Sequence, residues 1–111
     1  MDAEDILKII RSQIGDRWET TNWHEVNLQK SLVHPKLISV IDRQVRNGEI
    51  QDQIINGWLV LVENPESQSG LRIVANQDGT NFGLAQGKFP SDQPLIIFGW
   101  YGDFLSAFTS M

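Results

Sequence analysis

The stretch WLVLVE, residues 58–63, constrains the fold of this chain more than any other. In an extended backbone Trp58, Val60 and Val62 fall on one side and Leu59 and Leu61 on the other, so both sides have to leave water. Near the carboxyl end LIIFGWY, residues 95–101, makes the same demand. Ile96, Phe98 and Trp100 form one row there, and Leu95, Ile97, Gly99 and Tyr101 form the other. Removing apolar area from water is favourable by roughly 25 cal/mol per Å². The chain must therefore find cover for two sheet faces.

Amphipathic helices are the usual cover, and the sequence offers few. Ala3, Ile6, Leu7, Ile10 and Ile14 recur at the three-and-four spacing of one helical face. Asp2 is placed to cap that helix, Glu4 and Asp5 suit its positive end, and Gly15 suits its exit. Residues 16–34 show no sustained period and read as an irregular segment, with one extended piece around His24–Leu28 and Trp18 and Trp23 pinning it to the body. Pro35 then suits the first turn of a second helix running to Arg46, with Leu37, Ile38, Ile41 and Val45 as its buried stripe and Asn47–Gly48 as its stop.

Strand signals follow. EIQDQII (49–55) and WLVLVE flank Asn56–Gly57, a dipeptide that suits the two positive-φ positions of a tight hairpin. The arm 49–55 is weakly patterned, so a helical extension is the alternative there. LRIVAN (71–76) and TNFGLAQ (80–86) flank Gln77–Asp78–Gly79, a second hairpin connection. After the loop GKFPSDQP, Leu95–Tyr101 reads as a last strand, and Asp103 caps a short helix through Phe108. The expected fold is a single α+β domain over residues 1–111. It has two N-terminal helices, a mainly antiparallel sheet of four to five strands in meander order and a short C-terminal helix, with helices packed on one face.

Composition bounds the chemistry. Hydrophobic residues at 41% and charged residues at 21% are those of a globular chain rather than a disordered one. There is no Cys, which removes disulfides, thiolate nucleophiles and Cys-based metal sites. The first residues carry acids where a secretory signal carries Lys or Arg, and no apolar run approaches the roughly 20 residues of a membrane span. A cytoplasmic protein without a membrane partner is the expectation. Residues 51–111 hold only Arg72 and Lys88 against six acids, and the net charge is −5. The one basic cluster, Lys30, Lys36, Arg43 and Arg46, is interrupted by Asp42 and reads as a solvated face rather than a nucleic-acid footprint.

The catalytic motifs fail on spacing. WHEVN (23–27) begins like HExxH, but Leu28 stands where the second His belongs. His24 and His34 lack metal-ligand spacing, even with Glu25 or Asp52 added. Gly79, Gly83 and Gly87 before Lys88 span a hairpin rather than a strand-to-helix turn, so they do not form a phosphate loop. Glu63 and Glu66 flank Pro65 in a turn, and no nucleophile elbow occurs. No cofactor, metal or catalytic residue is expected.

That leaves surplus apolar strand area, and the two helices are too few to shield it. The expectation is a non-catalytic adaptor, assembly factor or regulator. It would bind a partner protein or peptide, or a second copy of the chain, through Trp58, Trp100, Tyr101, Phe104 and Phe108, because aromatic side chains dominate such contacts. The alternative is a small-molecule sensor or minor enzyme with a pocket between sheet and aromatic segment.

Overall fold

The computed structural model describes residues 1–22, 25–87 and 94–111. Helix α1 spans Ala3–Ile14, where the periodicity places it. Asp2 and Asp5 close a reciprocal capping box through bonds of 2.9 Å, and Ile6, Ile10 and Ile14 are buried. The irregular segment contains a Thr21–Asn27 bridge and a single-turn helix α2, Leu28–Ser31. Trp18 packs half-buried against the core. Trp23 and His24 lie outside the described residues.

The second helix does not form. Residues Leu32–Arg46 are strand β1, and Asn47–Gly48 is not a helix stop but the turn into β2, Glu49–Asn64. Both turn residues take positive φ, 53° and 76°, as a tight hairpin requires. Val33, Ile38, Val40, Ile41 and Val45 are β-branched and fit a pleated surface better than a helix. Pro35 sits at the register shift between Leu32 and Lys36, where a missing N–H leaves the ladder intact. The expected hairpin at Asn56–Gly57 is likewise absent, since β2 runs straight through it. A Cβ on Gly57 would stand 2.7 Å from Val74 Cγ1 and 2.8 Å from the Ala75 carbonyl. This glycine permits a close strand approach rather than a turn.

The later elements follow the reading. Strands β3 (Ser69–Asn76) and β4 (Phe82–Gly87) join through a turn with Gly79 at φ 72°. Strand β5 is Leu95–Trp100, and Asp103 caps α3, Phe104–Thr109.

The open sheet with helices on one face is overturned. The five strands close into a barrel in chain order, antiparallel throughout except where β1 meets β5 in parallel, Ile41 beside Ile96 and Asp42 beside Ile97. An odd-numbered meander brings its first and last strands together pointing the same way. Closure supplies the cover that two helices could not. Val40, Val74, Ala85, Leu95 and Ile97, with Ile38, Ile55, Leu59 and Trp100 beside them, come from all five strands and no helix, and they fill the lumen. Trp58, Val60, Ile73, Ala75, Phe82 and Leu84 point outward and are covered by α1 and α3. The Phe104 ring meets Phe82 edge-on at 5.8 Å, and Gln13 Oε1 accepts from the Phe104 N–H at 2.7 Å, which ties α3 to α1.

Candidate functional site: the protruding β1–β2 arm

β1 and β2 outrun the barrel. The ladder between β2 and β3 begins at Gly57, and β5 flanks β1 at Ile41 and Asp42. Beyond these points the hairpin continues as a two-stranded arm, which helps stretch the molecule to 41 × 29 × 23 Å. Cross-strand register places Ile41 opposite Ile54, Arg43 opposite Asp52 and Val45 opposite Ile50. Alternation puts all six on one outward row. Ile54 is 76% exposed, Val45 71% and Ile50 67%. Between these aliphatic pairs Arg43 donates twice to Asp52, from Nε and Nη2, each at 2.9 Å. The carboxylate raises the guanidinium pKa further, so the bridge stays charged over all ordinary pH. Ile96 extends the Ile41–Ile54 row onto β5, and Phe98, 47% exposed, stands at the next outward step.

The opposite face of the arm is polar. Asp42 accepts from Trp100 Nε1 at 3.1 Å and from Gln44 Nε2 at 3.1 Å, and Gln44 in turn accepts from Arg46 at 2.9 Å. The arm is thus amphipathic, with its greasy side facing away from the barrel.

The residues singled out from the sequence do not come together as one open surface. Phe104 and Phe108 are fully buried between α3 and the sheet, and Trp58 is 8% exposed with its indole N–H on the Gln77 carbonyl. Trp100 turns into the lumen group because β5 carries an extra residue, Phe98, at the shift between Leu84 and Ala85. Tyr101 is 37% exposed. Sequence reading missed Val45, Ile50 and Ile54. Their signal was the alternation of Ile50, Asp52 and Ile54 within EIQDQII, which a helical stripe over 37–45 obscured.

A cleft of about 730 Å³ lies between the β2–β3 turn and the segment before α2, lined by Glu25, Asn27, Lys30, Glu63, Glu66 and Ser67 among others. Glu25 holds φ 64° at its rim, and Glu63 Oε1 accepts from the Leu71 N–H at 3.1 Å. Among the described residues no group of three or more His, Asp or Glu side chains is placed to hold a metal ion, and no helix is long and apolar enough to cross a membrane. His34 is exposed on β1. Compared with protein-family models, with curated proteins and with solved structures, the chain matches none.

Proposed function

We propose that this chain is a small cytoplasmic, non-catalytic interaction domain that docks a partner protein or peptide through the outward row of its β1–β2 arm. The observation that carries this reading is the exposure of Val45, Ile50 and Ile54 on one row of a hairpin that extends past its own barrel. Scattered apolar residues on a surface need no explanation, whereas a contiguous row of them marks a contact site. Phe98 and Tyr101 flank the row on the β5 side and add aromatic contact area. An adaptor, an assembly factor and a regulator all use such a surface in the same physical way.

The reading is tested with the double variant Ile50→Asp/Ile54→Asp. Both positions are exposed, so folding stability is expected to stay within about 0.5 kcal/mol of the parent. Affinity capture from native lysate, quantified by mass spectrometry for parent and variant side by side, is expected to lose its specific partners. Equal capture by a folded variant would sink the reading.

A further inference from the structure

We infer that the free edge of β2 in the arm pairs with the same edge of a second copy of this chain, as an added antiparallel strand. The inference rests on reading the arm as a binding surface, and it names an occupant. From Glu49 to Asn56 the β1 ladder satisfies one side of β2, and β3 joins the other side only at Gly57. Among the described residues no strand lies along that second side, and Glu49–Ile54 are all exposed. Eight residues at about 3.4 Å each make an open edge of roughly 27 Å. Edges are ordinarily guarded by Lys, Pro or a bulge. EIQDQII has neither Lys nor Pro, and its ladder with β1 runs without a register shift.

Charge selects both the face and the register. At a net charge of −5 most approaches of two copies are repulsive. The outward row of the arm holds one Arg and one Asp, bridged to each other, and is neutral. Two copies sharing one antiparallel sheet are related by a two-fold axis perpendicular to it, and facing residues point to the same side. The axis therefore passes through a residue pair. Centred on Asp52, it would oppose two carboxylates. Centred on Gln53, it overlaps Ile50–Asn56 of both copies with no like charges opposed. Gln53 then faces its own counterpart, Gln51 faces Ile55, and the two Ile54 side chains become diagonal neighbours. Any further shift drives the second copy into β3. Stable interfaces take about 800 Å² and 20–30 residues a side. Seven edge residues and their neighbours fall short of that, so the dimer is weak, with Kd between roughly 10 µM and 1 mM.

The chain has no Cys, so a single introduced thiol reads the register directly. Facing Cα atoms in an antiparallel pair lie about 4.5–5.5 Å apart, inside the disulfide range. Gln53→Cys is expected to form a disulfide dimer under mild oxidation many-fold faster than Gln51→Cys, whose counterpart lies roughly 13 Å away along the strand. Sedimentation velocity of the unmodified protein is expected to show a monomer–dimer equilibrium across that concentration range, and Gln53→Glu to shift it toward monomer. Equal cross-linking of the two thiol variants, or a strictly monomeric parent, would overturn the self-pairing. A monomer that still loses its captured partners on Ile50→Asp/Ile54→Asp would overturn the self-pairing alone and leave the interaction reading standing.

Discussion

Gly48 and Gly57 both follow an Asn, yet their glycines answer different needs. Gly48 sits at φ 76° with nothing within 4 Å of a built Cβ, so its requirement is conformational. Gly57 faces Val74 Cγ1 and the Ala75 carbonyl inside 3 Å, so its requirement is steric. Gly57→Ala is expected to lower global stability by about 1–3 kcal/mol, because backbone cannot withdraw as a flexible side chain would. Gly48→Ala is expected to cost about 1–2 kcal/mol, the left-handed penalty, confined to the arm. Urea denaturation of the two variants separates these outcomes: the first should move the global midpoint and the second should barely do so. The dipeptide alone does not distinguish the two roles. Its neighbours do, since only Asn47–Gly48 joins two segments of matched alternation.

At the scale of elements, the short helix α3 depends on its cap. Asp103 Oδ1 accepts from the Ser106 N–H at 2.8 Å, and the hydrogen bonds from Ser106 hold the Asp103 carboxyl below its ordinary value of 3.8. A carboxyl whose native pKa is depressed stabilises the fold above its unfolded pKa and loses that contribution as pH falls through the native value. Asp103→Ala is expected to cost about 1 kcal/mol at neutral pH. The gap between parent and variant should narrow as pH drops below about 4. Denaturant titrations at pH 7 and pH 3 check this, and a constant gap would show that the charge on the cap is irrelevant. Both helices with legible caps, α1 and α3, stand where the sequence puts them, because capping is decided within one turn. β1 was misread because Leu37, Ile38, Ile41 and Val45 satisfy a helical stripe, while Ile38 and Val40 satisfy a strand row equally well. Local pattern does not choose between them, and pairing with β2 does.

At the scale of the molecule, the barrel has one short seam. β1 and β5 are in register only at Ile41–Ile96 and Asp42–Ile97, whereas β1 and β2 pair along most of their length. The Trp100–Asp42 hydrogen bond and the lumen packing of Val40 and Ile97 reinforce it. Hydrogen exchange is expected to show β5 amides opening before those at the centre of β2 and β3, since local opening follows the weakest pairing. Trp100→Phe, which removes the indole donor from Asp42, should widen that difference several-fold, because a buried lost hydrogen bond costs about 1–3 kcal/mol. Uniform protection around the barrel would show that the seam is as strong as the hairpins.

The sequence by itself determined the first and last helices, the β3–β4 hairpin, the last strand and the need to cover two sheet faces. Each of these is written in contacts a few residues apart. Only the tertiary structure decided how the faces were covered. Closure of the sheet depends on residues more than fifty apart, Asp42 with Ile97 and Trp100, and no local period records such a meeting. The same closure sealed Trp58, Phe104 and Phe108 away and left Val45, Ile50 and Ile54 in water, because the barrel uses only part of its two longest strands.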